Sequence, residues 1–325
     1  MAVYTEVSDD DLTAFVAGYD IGAPRSCKGI AEGVEISNFL LTTETGSFIL
    51  TLYEKRVNTD DLPFFLGLLA HLADKDVPCP TPLANATNEI LGRLSDRPAA
   101  IVSFLDGMWP RRPTPEHCAE LGRAIAHMHL AGADFEMSRA NNLSVGQWRG
   151  LLDQSRDRSD EVKPGLAAFL DEELSALEAD WPAAGGLPSG VIHGDLFPDN
   201  VFFQDGKLSG LIDFYFACND FFVYDLAICL NAWCFEPDGS FNITKARRML
   251  TAYNKVRDFS TDELAALPLM ARGVSMRFLL TRLYDWLNTP KDALVTPKNP
   301  LEYYEKLRFH QGVDGPGAYG LEATP

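Results

Sequence analysis

The sequence predicts an α+β protein of two lobes, a small β-rich lobe over residues 1–105 and a larger, mainly helical lobe over residues 106–325. Three observations support this. A chain of 325 residues exceeds the ~250–300 at which a single hydrophobic core stops growing. Its first third holds short β-like runs separated by turn residues, whereas the spacing after Gly107 becomes helical. Between the later helices lies a compact polar segment, 193–214, built around a hairpin signal.

Ser8 reads as the N-cap of a short amphipathic helix over 9–18, closed by Gly18. Runs 37–42 and 47–53 read as strands joined through Thr45-Gly46. Asp60 and Asp61 open an apolar helix reaching about residue 74, after which Pro78, Pro80 and Pro82 force an extended connection. Runs 90–94 and 99–105 supply two further strands. Thr114-Pro115 is a cap followed by proline at the first helical position, and Cys118, Leu121, Ile125 and Met128 continue that helix to residue 130. A looser stretch, 141–160, precedes a helix over 164–179. Helices are then expected at 225–233, 243–257, 261–271 and 274–287, with a Pro- and Gly-rich tail from Thr289 that frays at its end. There is no internal repeat and no low-complexity segment.

Composition excludes several classes. Lys plus Arg is 28 and Asp plus Glu is 46, a formal charge of −18, which argues against nucleic acid or an anionic membrane as partner. The hydrophobic fraction of 46% is ordinary for a globular protein. The N-terminal residues are neither basic nor apolar, so no signal peptide is expected, and no apolar stretch approaches the ~20 residues of a membrane span. Six cysteines without metal-site spacing read as reduced, mostly buried thiols, and a cytoplasmic location follows.

The chemistry concentrates in His193-Gly194-Asp195-Leu196-Phe197-Pro198-Asp199-Asn200 and in Leu211-Ile212-Asp213-Phe214. Apolar runs 201–203 and 208–212 flank Gln204-Asp205-Gly206-Lys207, and Asp-Gly between two such runs marks a tight hairpin. The hairpin returns Asp213 to the loop that carries Asp195 and Asn200. One carboxylate beside two hard oxygen ligands suits phosphoryl transfer, where a protein positions a hydroxyl and neutralises phosphate charge with Mg²⁺. Asp195 is the candidate base, and Asn200 and Asp213 are the candidate Mg²⁺ ligands. His193 is expected to hold the loop by hydrogen bonds, Asp225 to cap its helix or brace the loop, and Asp199 to point outward. His127 and His129 are two apart on a helix and make a poor metal pair.

This pattern resembles the protein-kinase catalytic loop and its metal-binding Asp. Gly194 stands where protein kinases place an Arg, and Tyr215 replaces the Gly of Asp-Phe-Gly. Both departures resemble the aminoglycoside phosphotransferase and choline kinase superfamily, which implies a bilobal protein-kinase-like fold acting on small molecules with ATP. By that resemblance Gly29 and Gly33, just before the strand at 37–42, occupy the phosphate-covering loop. Residues 101–105, with Ser103 and Leu105, form the connection that pairs with adenine. Related kinases present a Lys to the α- and β-phosphates from the strand where Thr51 stands here; Lys55, on the same strand face, is the candidate replacement. The Glu that would partner such a Lys is missing, with only Asp60 and Asp61 at the helix start.

The longer runs 193–203, 209–220 and 224–234, with 29–38 and 48–54, are similar to the type II homoserine kinases over nearly the whole chain. The resemblance implies transfer of the ATP γ-phosphoryl group to L-homoserine, a step toward threonine. A zwitterionic acceptor needs a cation for its carboxylate, and Arg suits a planar carboxylate. Arg277 and Arg282 are candidates; five apart on a helix, they cannot both face the site squarely. Tyr215 and Trp233 are candidate pocket-lining aromatics. Within the same fold an aminoglycoside, choline or a sugar is the alternative acceptor, and a non-catalytic kinase fold is the alternative class. The oligomeric state stays open.

Overall fold

The computed structural model describes residues 5–30, 36–54, 58–290 and 296–321. Gly33 and Lys55 lie outside the described residues.

Helix α1 (Asp9–Val16) starts at Ser8, whose hydroxyl accepts a hydrogen bond from the Asp11 amide at 3.1 Å. Strands β1 (Pro24–Gly29), β2 (Ile36–Thr43), β3 (Ser47–Tyr53), β4 (Gly92–Leu94) and β5 (Arg97–Ser103) form an antiparallel sheet in the order β1-β2-β3-β5-β4. β1 has no counterpart in the sequence reading; Pro-Arg-Ser-Cys-Lys-Gly lacks apolar alternation, and its pairing with β2 creates the strand. Helix α2 (Leu62–Ala73) is inserted between β3 and β4.

Period-two alternation gives the sheet two different faces. Phe39, Leu41, Leu50, Leu52, Ala99 and Ile101 pack against Leu12 and Val16 of α1. Tyr53 and Ala100 face the other way and join Phe64 and Phe65 of α2 in a core continuous with the helical part. Thr51, between Leu50 and Leu52, also takes this second face, toward the helical lobe.

The helical lobe comprises α3 (Pro115–Ala131), α4 (Val145–Asp153), α5 (Arg156–Val162), α6 (Leu166–Asp180), α7 (Phe222–Trp233), α8 (Ile243–Asn254), α9 (Thr261–Asn288) and α10 (Leu301–Gln311). Two strand pairs interrupt these helices. β6 (Ser189–Ile192) and β9 (Cys218–Phe221) form one, and β7 (Val201–Gln204) and β8 (Lys207–Leu211) form the hairpin nested between them. Thr114 caps α3 as expected, in a reciprocal pair with His117. The segment expected to be loose holds α4 and α5, anchored by fully buried Trp148 and Leu152.

The two helices expected on either side of Arg272-Gly273 are one helix, α9. Gly273 does not break it, because its bare α-carbon admits Trp181 and Trp148; an added Cβ would stand 2.3 Å from the Trp181 ring. The length and apolar content of α9 would suffice to cross a membrane, but it packs against α7 and α10 as a core helix. The tail from Thr289 contains α10 and fully buried Tyr303, Leu307 and Tyr319; its last residues, 322–325, where fraying was expected, lie outside the described set. The described cysteines are all free, and only Cys27 is partly exposed.

The connector after β5 is tied down twice. Ser103 exchanges bonds with Thr81, donating from its amide and accepting at its hydroxyl, both at 2.9 Å. Met108 exchanges both backbone hydrogen bonds with Phe203 of the β7–β8 hairpin, at 3.0 and 2.9 Å.

Candidate active site

The loop from His193 to Asn200 is held from beneath by a buried carboxylate. Asp225, in the first turn of α7, accepts from the amides of His193 and Gly194, each at 2.9 Å, and from His129 Nε2 at 3.2 Å. Burial disfavours the charge, yet the His129 hydrogen bond and the surrounding donors outweigh it and hold the Asp225 pKa below the usual Asp value. The chain of donors continues outward, since His129 Nδ1 meets the Tyr253 hydroxyl at 2.9 Å and Arg257 donates to that hydroxyl at 3.1 Å.

His193 uses both ring nitrogens structurally. Nε2 donates to the Ile212 carbonyl at 3.0 Å, and Nδ1 accepts from the Asp195 amide at 3.3 Å. Burial lowers its pKa, so the neutral ring is favoured. Gly194 has φ 76°, and a Cβ there would lie 2.7 Å from the Phe216 carbonyl oxygen. That close approach explains the absence of the Arg carried by protein kinases at this position.

Asp195 and Asn200 meet directly. The Asn200 amide group donates to the Asp195 carbonyl at 2.8 Å and to its carboxylate at 3.2 Å, which uses its nitrogen and not its amide oxygen, an acceptor that could meet a cation. Asp205 (φ 50°) and Gly206 (φ 77°) turn the hairpin between β7 and β8, and the Ile212 amide donates to the Asn200 carbonyl at 3.0 Å. Asp213 follows immediately, exposed and left-handed at φ 65°. Burial pushes the Asp195 carboxyl up to about 7; nearby Arg277 opposes this, and Asp213 and Asp199 add to it. A carboxylate near neutrality is suited to receive a hydroxyl proton.

The other candidate residues are distributed unevenly. Gly29 ends β1 opposite Phe39, at the entry to the undescribed segment 31–35. Thr51 donates to Asn38 across the sheet at 2.7 Å and also lies within hydrogen-bonding reach of Tyr215. Ser103 is engaged by Thr81, and the Leu105 side chain packs over Gly210 of β8, 2.6 Å from where a Cβ would stand. Tyr215 meets Tyr53 hydroxyl to hydroxyl at 3.1 Å, joining β3 to the turn after Asp213.

Trp233 does not line a cleft. It is 1% exposed and its indole donates to the Leu196 carbonyl at 2.8 Å, supporting the catalytic loop from the core. Arg277 donates to the Gly194 carbonyl at 2.9 Å and packs over Phe278, again behind the loop. Arg282 pairs with Glu302 at 2.6 Å over the Tyr303 ring. Arg282 is thus engaged by Glu302, whereas the Nε of Arg277 is buried without a hydrogen-bond partner among the described residues. Asp61 pairs at 2.9 Å with Arg139, whose guanidinium also reaches the Ala217 carbonyl at 3.1 Å. Arg139 and Tyr53 thus tie α2 and β3 to the turn after Asp213. Both escape sequence reading because their partners lie 78 and 162 residues away.

Among the described residues, no group of three or more His, Cys, Asp or Glu could by itself hold a metal ion. This donor set fits Mg²⁺ nonetheless, since Mg²⁺ keeps waters and phosphate oxygens and takes only one or two protein ligands. Asp213 and the Asn200 amide oxygen would supply two.

Residues 26–259 match the phosphotransferase enzyme family, and the chain belongs to it. Its relatives narrow the class further. A homoserine kinase of Rhodospirillum rubrum is 68% identical over 321 residues, covering 99% of both chains. A homoserine kinase of Parvibaculum lavamentivorans is 63% identical over 323 residues, 99% of this chain and 100% of its own. An amicoumacin kinase solved with AMP-PNP and Ca²⁺ aligns at a TM-score of 0.68 and 14% identity, over 94% of this chain and 92% of its own, a likeness of bilobal kinase fold.

Proposed function

We propose that this protein is a homoserine kinase, transferring the γ-phosphoryl group of ATP to the side-chain hydroxyl of L-homoserine to give O-phospho-L-homoserine and ADP. The observation that carries the reading is the meeting of Asp195 and Asn200 beside Asp213 in a chain 68% identical to a homoserine kinase over nearly its full length. Asp195 receives or orients the hydroxyl proton for in-line attack, and Asn200 keeps that carboxylate aimed. Asn200 and Asp213 would hold Mg²⁺, which would neutralise charge on the phosphate oxygens. Backbone amides around Gly29 and Gly33 cover the phosphates, and residues 101–105 receive the adenine. Lys55 is the remaining candidate for the phosphate-binding cation, since Thr51 is engaged by Asn38. The reaction belongs in the cytoplasm, where ATP and the free amino acid are both available.

The test couples ADP release to a panel of alcohols: homoserine, choline, an aminoglycoside and simple sugars. Turnover of homoserine with the highest kcat/KM is expected. Turnover of an aminoglycoside or choline without homoserine would overturn the assignment.

A further inference from the structure

The small lobe carries a cavity of about 690 Å³ that the proposed mechanism does not use. It lies between α1 and the turn joining β4 to β5, on the sheet face packed by Leu12 and Val16 and away from the face of Thr51. Asp11 of α1, Glu89 of the loop before β4 and Asp96 of the turn are its carboxylates, and Arg93 is its cation. Three carboxylates against one guanidinium leave the wall acidic. Arg93 does not offset them directly, since it donates to the Asp96 backbone carbonyl at 3.2 Å. Asp11 and Glu89 meet neutral donors, Ser8 at 2.8 Å and Thr87 at 2.9 Å.

An acidic rim alone is ordinary solvated surface, but a buried hydroxyl stands behind this one. Tyr19 is 7% exposed, and its phenolic oxygen is buried without a hydrogen-bond partner among the described residues. The ring is directed at the cavity wall. A Cβ on Gly92, which lines the cavity, would stand 3.6 Å from that oxygen and 2.8 Å from the Phe15 ring. Burial, and after it the charge of Glu89, push the phenol pKa up, so the hydroxyl stays neutral. Buried polar groups are rarely left unpaired, so this hydroxyl calls for a partner that the protein does not supply. Phe15 and Tyr19, with ring centroids 5.3 Å apart, add aromatic surface beside it.

We infer that this cavity binds a small organic ammonium, whose N–H groups meet Glu89 and the Tyr19 oxygen while its carbon body lies against Phe15. Carboxylates beside aromatic rings are the chemistry that holds an alkylammonium, through ion pairing and attraction to the ring faces. A bare metal ion is a poorer occupant, because no group of three His, Cys, Asp or Glu among the described residues could hold one. A linear diamine suits the wall best, since Asp11 and Glu89 sit on separate elements and leave charge for a second ammonium. Such an occupant clamps α1 to the loop before β4 without entering the cleft. The inference does not depend on which alcohol is phosphorylated.

The experiment titrates wild type, Tyr19→Phe, Glu89→Gln and Glu136→Gln with 1,4-diaminobutane by calorimetry at fixed ionic strength. Glu136 is an exposed carboxylate outside the cavity, and its variant removes the same charge from an acidic chain. Wild type and Glu136→Gln should bind alike, one diamine per chain. Glu89→Gln should bind roughly 10-fold more weakly and Tyr19→Phe roughly 3-fold, the scale of a charge-assisted and a neutral hydrogen bond. Tyr19→Phe tests the site without harming the fold, because deleting an unpaired hydroxyl should leave the free protein melting no lower than wild type. The diamine should raise the unfolding temperature of wild type and leave its KM for ATP unchanged. No binding by wild type overturns the inference. So does equal binding by all four proteins, which marks diffuse attraction to a negative surface, and so does competition with ATP, which puts the diamine in the cleft.

Discussion

The hydroxyl of Tyr53, at the end of β3, lies 3.1 Å from the hydroxyl of Tyr215, two residues past Asp213, with the rings edge to face. A hydrogen bond therefore joins the sheet to the turn that carries Asp213. Tyr53→Phe and Tyr215→Phe should each weaken ATP binding by about 0.5–1.5 kcal/mol without unfolding the protein. The double variant should be no worse than the poorer single one, because both delete the same bond. Fully additive losses in a double-mutant cycle on the KM for ATP would refute the coupling.

Replacing Asp195 by Asn should reduce kcat by about 10²–10⁴-fold, the range for a lost general base, while a fluorescent ATP analogue still binds. Asp213→Asn should act differently, raising the Mg²⁺ concentration needed for half-maximal activity as well as slowing turnover. Equal metal dependence in the two variants would show that Asp213 is not a ligand.

The same Asp195 makes stability depend on pH. Its folded pKa of about 7 lies above the ordinary value of 3.8, so folding favours the protonated form. This contribution is fully present below about pH 4 and is lost as pH rises through about 7, at ~1.4 kcal/mol for each pH unit crossed. Asp195→Asn should therefore melt several degrees higher than wild type at pH 8 and level with it at pH 4. Activity runs the opposite way, because only the carboxylate accepts a proton. kcat/KM should fall about tenfold per pH unit below an inflection at or below about pH 7, bound Mg²⁺ moving it downward. A Tm difference independent of pH would contradict the raised pKa.

Asp225→Ala should be among the most damaging substitutions in the protein. It strands the amides of His193 and Gly194 and one nitrogen of His129, all buried, at an expected loss of about 3–5 kcal/mol in denaturant unfolding. The Asp225 pKa is lowered in the fold, so its stabilisation is present above the ordinary Asp value and is lost as pH falls through the folded one. Acid unfolding of wild type should reflect this, and a loss below about 1 kcal/mol on substitution would refute the bracing role.

Much of the architecture is legible in the sequence because local rules and global packing agree. The Ser8 and Thr114 caps, the Asp205-Gly206 turn and the alternation of β2 and β3 each act over a few residues. The catalytic turn is legible for the same reason, since Asp195 and Asn200 are near neighbours and one hairpin returns Asp213. Features that depend on distant partners are not. β1 exists through its pairing with β2, and Gly273 reads as a helix end until Trp181 is seen filling its missing side chain. Trp233, Arg277 and Arg282 have suitable chemistry for an acceptor pocket, but only packing shows that the first two grip the catalytic loop from behind. α10 escapes notice in a Pro- and Gly-rich tail, because nothing local announces it.

The double backbone exchange between Met108 and Phe203 limits how the molecule can breathe. It rivets the base of the connector to the strand pair ending at Asp213, so any hinge for cleft opening must lie upstream of Met108. The turn that carries Asp213 is then held to the helical part from two sides, by the connector at Met108 and by Tyr53 of the sheet.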